Sequence, residues 1–168
     1  MLVVFGGLPG TGKSTIARRL VERCRAAYIR IDTIETALRS ARLLENVGPA
    51  GYVVGYALAE SNLRLGQYVV ADSVNPVAAT REAWRTAAKA AMSPLLEVEI
   101  VCSDAVEHRR RVETRNADIP GLDPPSWDDV MAREYDPWPE PHLMLDTAGV
   151  AVDEALERIL EAMKQVVR

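Results

Sequence analysis

Short apolar-rich runs alternate along this chain with longer segments whose apolar residues recur every three or four positions. The short runs are Leu2–Phe5, Tyr28–Ile31, Tyr68–Ala71, Leu95–Cys102 and His142–Leu145, and they predict five strands. Between them the spacing predicts helices over Lys13–Ala26, Thr33–Leu44, Ala50–Gly66 and Pro76 to about Met92. A further helix runs from a cap at Ser103 or Asp104 to about Arg115, a short one lies within Trp127–Tyr135, and a last one spans Val150–Val167. Gly66 reads as a helix terminator, while Asn46–Pro49 and the proline- and aspartate-rich Asp118–Asp128 read as loops. Strands of this kind, each followed by a helix, imply a parallel sheet covered on both faces, with ligands bound beyond the carboxyl ends of the strands.

The first strand leads directly into Gly7-Leu8-Pro9-Gly10-Thr11-Gly12-Lys13-Ser14, which reads G-x-x-x-x-G-K-S, and the helical run beginning Thr15-Ile16-Ala17 follows it. Strand, glycine loop and helix together are the context of a phosphate-binding loop. Glycines let backbone N–H groups turn inward around a phosphate, and the helix adds the positive end of its dipole. On this reading Leu8, Pro9, Gly10, Thr11, Gly12 and Thr15 shape the cradle, and Lys13, in an exposed loop, reaches the β- and γ-phosphates. The Ser14 hydroxyl ligates Mg²⁺.

Carboxylates fall repeatedly at the same edge. Asp32, Asp72 and Asp146 each come immediately after a strand, and Asp104 follows the fourth strand closely. Asp72 ends the hydrophobic run before it as a Walker B aspartate does, which gives it Mg²⁺ to hold beside Ser14. Asp32 has two readings: a carboxylate that orients or deprotonates an attacking hydroxyl, or an N-cap paired with Glu35 in a capping box. Asp104 and Asp146 divide between a site role and helix capping.

Four arginines crowd His108–Arg115. At 100° per residue Arg111 and Arg115 share one helix face, with Ala105, Val106, Arg109 and Val112 roughly opposite. That pair points away from the sheet and would close over phosphates as a lid, arginine's planar fork suiting two phosphate oxygens. The alternative is a solvated face paired with Glu107 and Glu113. Tyr52, Tyr56 and Glu60, spaced by four, are either a binding stripe for a hydroxylated or cationic molecule or ordinary packing, and Gly51 with Gly55 allows a close helix approach. Trp127–Trp138 holds two of the three tryptophans, whose rings are expected to pack on the sheet edge or the lid, with Arg133 near a phosphate or the acceptor.

Composition narrows the class. A chain of 168 residues with 48% hydrophobic content suits one domain, here 1–168, with its own core. Its 20 basic and 24 acidic residues leave a net charge of −4, which lacks the field of a nucleic-acid binder. Cys24 and Cys102, without metal-ligand spacing, read as buried thiols of a cytoplasmic protein. The first apolar run is too short for a signal peptide, and no stretch approaches the ~20 residues of a membrane span.

These elements resemble the small P-loop kinases, the AAA-type ATP-binding family that includes polynucleotide 5′-hydroxyl kinase domains, gluconate kinase and chloramphenicol phosphotransferase. The matching parts are Gly6–Thr15, Asp32, Val69-Val70-Ala71-Asp72 with Asn75, and Arg111 with Arg115. The resemblance implies a three-layer P-loop NTPase fold with sheet order 2-3-1-4-5, an ATP–Mg²⁺ donor site, a lid over about 109–128, and Thr147 near the adenine. It also implies Asp32 as the catalytic carboxylate and Arg111 and Arg115 as lid arginines beside Lys13. Departures matter too. Ser14 differs from the usual adenylate kinase residue, and no Gly-Gly-Gly acceptor loop of the shikimate kinase type is present. Glu35 stands where several polynucleotide kinases have arginine, although Arg39 lies one turn on. No N-K-x-D for reading guanine occurs. The expected function is an ATP-dependent kinase acting on a hydroxyl of a small-molecule acceptor, as monomer or homodimer, without membrane or nucleic-acid partners. The alternatives are a P-loop NTP hydrolase or nucleotide-binding protein, and a nucleic-acid 5′-hydroxyl kinase.

Overall fold

In the computed structural model, which describes residues 1–41 and 46–167, five strands form one parallel sheet. They are β1 (Leu2–Gly6), β2 (Ala27–Arg30), β3 (Val69–Asp72), β4 (Leu95–Val101) and β5 (Leu143–Asp146), in the order β2-β3-β1-β4-β5. The helices are α1 (Lys13–Cys24), α2 (Ile31–Ser40), α3 (Ala50–Arg64), α4 (Ala78–Ala90), α5 (Ala105–Glu113), α6 (Trp127–Met131) and α7 (Val152–Val166). The expected end of the second helix at Leu44 lies outside the described residues.

Alternation within the strands explains the three layers. Val3, Phe5, Val70, Val98 and Ile100 turn to one face, where Ile16 and Leu20 of α1 and Ile159 and Met163 of α7 cover them. Leu2, Val4, Val69 and Ala71 turn to the other, under Ala59 and Leu63 of α3 and Trp84 and Ala88 of α4. β1 is buried along its whole length, as a central strand must be. Gly51 and Gly55 admit α2 closely against α3. A Cβ at Gly51 would sit 2.4 Å from Glu35 Cγ, and one at Gly55 2.6 Å from Ile31 Cδ1. Gly66, at φ 79°, ends α3 with its N–H donating to Leu63 O, as its expected role requires.

Several boundaries differ from the expectation for local reasons. α1 stops at Cys24 because Arg25 takes a left-handed conformation (φ 51°) whose N–H closes on Val21 O. The second strand ends at Arg30, so Asp32 lies inside the first turn of α2. The N-cap is Arg30, and the Asp32–Glu35 capping box does not form. α5 ends at Glu113, leaving Arg115 beyond the helix that carries Arg111. The Asp104 carboxylate does cap α5, accepting from the N–H groups of Val106 and Glu107. Asp146 likewise serves a turn, accepting from the N–H groups of Ser103 and Ala148. Cys24 and Cys102 are free and half-buried rather than buried.

Candidate active site

The loop between β1 and α1 has positive φ at Gly7 (131°), Gly10 (84°) and Gly12 (95°), a path few residues other than glycine follow. Two approaches make those glycines steric necessities as well. A Cβ on Gly7 would meet Ile100 O at 2.1 Å, and one on Gly10 would meet Val112 Cγ2 at 2.5 Å. The loop delivers the chain to α1 with Gly12 as N-cap and no side chain capping that helix end; Thr15 and Ile16 N–H donate back to Gly12 O. Lys13 is buried, not exposed as expected, because its chain folds back under the loop and Nζ donates to Leu8 O at 3.0 Å. Burial pushes the Lys13 ammonium below its ordinary value, while Asp72 and Asp32 oppose that shift.

Two of the cavities that open from this loop share Lys13 and Ser14. One, of about 320 Å³, is walled by Gly12 to Thr15, Arg18, Arg111, Arg115 and Asp118 among others. The second, of about 400 Å³, contains Asp32, Glu35, Asp72 and Arg133 with the segment from Gly121 to Pro125. Lys13, Ser14 and Arg115 belong to both. The chain thus brings together the phosphate loop, both expected carboxylates and Arg115, although no group of three or more His, Cys, Asp or Glu among the described residues forms a metal cluster of its own.

Asp72 is buried, with Oδ2 accepting from Tyr28 Oη at 2.6 Å, which fixes the carboxylate's orientation. The same contact and the burial of the ring push the Tyr28 phenol well above its ordinary value, burial being the larger cause. Arg30 lies between the carboxylates, 3.7 Å from both Asp72 and Asp32. Glu35 is pushed up by burial and by Asp32, against the pull of Arg39 and Arg133.

Sequence reasoning missed the support beneath the loop. His108 of α5 is buried, and its Nε2 lies 2.8 Å from Pro9 O, a carbonyl to which only a protonated Nε2 donates. Trp127 meets the His108 ring edge-on at 5.2 Å. The buried face of α5 is therefore His108 and Val112, while Val106 and Arg109 are exposed, contrary to the expected arrangement. α5 crosses the loop rather than the sheet, and the i, i+4 pair His108–Val112 was the available signal. Arg111 reaches the wall of the phosphate cavity, yet its guanidinium is held by Glu107 and by the Thr147 hydroxyl and carbonyl. Thr147 also lies 2.8 Å from Thr11 O, tying the turn after β5 to the phosphate loop beside a third cavity that runs to Val152.

The tyrosine stripe is packing. Tyr56 stacks edge-on against Trp84 and donates to Thr80 O, Tyr52 accepts from Asn75 N–H, and Glu60 pairs with Arg64 in solvent. Asn75, at φ 51°, is a buried joint that donates to Phe5 O and accepts from the Trp84 indole. Trp138 fills the space over Gly6, where a Cβ would come within 2.2 Å of its ring.

A family model described as "AAA domain" matches residues 2–132. Among solved structures, a candidate kinase from Chloroflexus aurantiacus J-10-fl superposes with a TM-score of 0.75 at 18% identity, over 98% of this chain and 96% of that one. The APS kinase of Mycobacterium tuberculosis, in complex with AMPPNP and APS, has a TM-score of 0.67 at 19% identity, over 97% and 96% of the two chains. A gluconokinase from Sinorhizobium meliloti 1021 has a TM-score of 0.65 at 17% identity, over 97% and 91%. A search of the curated proteins finds no match. The sheet order and these neighbours establish a P-loop kinase-like fold. No helix among the described residues is long and apolar enough to cross a membrane.

Proposed function

This chain belongs to the AAA domain family, and we propose that it is an ATP-dependent kinase that transfers the γ-phosphoryl group to a hydroxyl of a small molecule. The observation that carries this reading is the pair of cavities meeting at Lys13, Ser14 and Arg115. A hydrolase needs only the first, with room for water. The second cavity, about 400 Å³ and walled by Asp32, is the size of a metabolite site.

The residues fit a magnesium nucleotide. The glycine path forms a cradle that side chains would fill, and the Ser14 hydroxyl with the Asp72 carboxylate is the hard oxygen donor set that Mg²⁺ prefers. Bound there, Mg²⁺ supplies neutralisation of phosphate charge. Leu8 to Thr15 hold the phosphates, and Lys13, buried and under the influence of Asp72 and Asp32, contributes positive charge where charge moves. Thr147 sits at the nucleoside end. In the reaction the acceptor oxygen bonds to the γ-phosphorus, the bond from that phosphorus to the β–γ bridging oxygen breaks, and ADP leaves with the electron pair. The acceptor's proton passes to Asp32, which also aims the hydroxyl. Residues 109–128 act as the lid of what we take to be one catalytic unit, with Arg115 turned to both cavities and Arg111 bracing the turn at Thr147. The free thiols of Cys24 and Cys102 favour a reducing cytoplasm.

The test is a metabolite library screened for acceptor-dependent release of ADP. A hydroxylated compound that raises ADP release and itself gains one phosphoryl group is the expected result. ADP release indifferent to every acceptor refutes the kinase reading in favour of a hydrolase.

A further inference from the structure

Asp118, to which the sequence reading gives no part beyond the lid loop, is the carboxylate that meets the most arginines among the described residues. Three arginines from three separate elements converge on it. Arg18 Nη1 of α1 donates to Oδ2 at 2.5 Å, and Arg30 at the end of β2 grips both oxygens, at 2.7 and 3.1 Å. Arg115 Nη2, beyond α5, reaches Oδ1 at 3.5 Å. Arg18 and Arg115 have no other carboxylate partner among the described residues. Three guanidinium groups on one carboxylate exceed what a lid clasp needs, since a single bidentate pair already fixes geometry. The excess is the chemistry of a seat for a more highly charged anion.

The position of this seat identifies that anion. Asp118, Arg18 and Arg115 wall the same cavity as Gly12, Lys13, Ser14 and Thr15. Arg30 is only 5% exposed and does not border that cavity. It touches Asp118 from behind, and its Nε finds no hydrogen-bond partner among the described residues. Displacing the carboxylate would open Arg30 to the phosphate cavity. We infer that the Asp118 carboxylate is a placeholder anion, seated where Arg18, Arg30 and Arg115 would receive the terminal phosphoryl group of the nucleotide. This inference rests on the phosphate-loop reading above and adds Arg18 and Arg30 to the phosphoryl-binding residues. Phosphate and Asp118 compete for one seat: a phosphoryl group brings up to two negative charges and three oxygens, where the carboxylate brings one charge and two. The exchange releases the loop after α5 as the phosphate arrives, so binding and lid position become one event.

The experiment is calorimetric binding of tripolyphosphate with Mg²⁺ at low ionic strength, where such contacts are strongest. Asp118→Asn keeps size and removes the competing charge, so affinity should rise roughly tenfold over wild type, the scale of a charge-assisted hydrogen bond. Unchanged or weaker binding overturns the inference and leaves Asp118 as a clasp that holds the lid. Arg18→Gln alters a half-exposed helix position that folding tolerates, and it should weaken tripolyphosphate binding roughly tenfold. Wild-type affinity in that variant also overturns the inference. In the double variant the gain from Asp118→Asn should disappear, and its persistence counts against a shared seat. Failure of the kinase reading would appear as absence of an acceptor, and these binding constants would not change.

Discussion

The contact between α5 and the phosphate loop can be measured with a pair of glycines. Gly10 and Gly66 have nearly the same backbone, φ 84° and φ 79°, so an alanine pays a similar conformational penalty at either, about 1–2 kcal/mol for a left-handed L-residue. Their surroundings differ. A Cβ at Gly10 would sit 2.5 Å from Val112 Cγ2 and 3.2 Å from His108 Cδ2, whereas one at Gly66 meets nothing within 4 Å. Gly10→Ala must push α5 outward, at the roughly 1–3 kcal/mol of an overpacked interior. For a chain of this size that is a melting temperature about 2–12 °C below that of Gly66→Ala. The same displacement loosens the bond between His108 and Pro9 O and draws Arg111 away from Thr147, so magnesium nucleotide binding should weaken in Gly10→Ala and persist in Gly66→Ala. Scanning calorimetry on both variants, with nucleotide titrations beside it, checks this. Equal melting temperatures would refute the argument, because they would mean that backbone strain alone sets the cost and α5 yields freely.

Three further outcomes are expected. Lys13→Ala removes the buried cation beside Asp32 and Asp72 and should lower phosphoryl transfer by at least roughly 10²–10³, read as ADP release; turnover at the wild-type rate would end the assignment of this site. Asp32→Asn should lower acceptor phosphorylation by about 10²–10⁴ while ATP affinity measured by calorimetry stays the same, and loss of ATP binding with the chemistry intact would move Asp32 into the nucleotide site. The Arg30 guanidinium, with Arg18 and Arg115, holds the Asp118 carboxyl well below the usual carboxylate range. A depressed value means that stability is present above the unfolded value of about 3.9 and is lost as pH falls through the folded one. The gap in melting temperature between wild type and Asp118→Asn should therefore be constant near neutrality and shrink below about pH 4; a gap that grows on acidification contradicts the pairing.

Much of the fold was legible because strands and glycines announce themselves locally. Each of the five strands is a short apolar-rich run; the central β1 and β3 are buried at every position, while the edge strand β5 leaves Met144 exposed. The sheet order came from resemblance, since no local pattern states which strand neighbours which. Helix ends were less legible where backbone conformation decided them: Arg25 turns left-handed at the end of α1, and α2 begins directly after β2 without a capping side chain. That directness moved Asp32 from a strand end into a first helical turn, yet it still faces the cavity holding Ser14 and Asp72.

The site divides along the same line. Lys13, Ser14, Asp32 and Asp72 were readable because each is fixed by its place on a strand-loop-helix unit, and the structure gathers all four around one cavity. Arg18, Arg30, His108 and Asp118 were not, because their meaning lies in contacts between residues 88 to 100 positions apart. Arg30 is the clearest case. In sequence it interrupts an apolar strand, Tyr28-Ile29-Arg30-Ile31, and reads as a blemish in the pattern. A charge buried in a sheet needs partners, and here it has three carboxylates: Asp32, Asp72 and Asp118. A lone arginine inside an otherwise apolar parallel strand is thus a signal in its own right. It requires acidic partners at the carboxyl edge of the sheet, which is also where the phosphate loop ends.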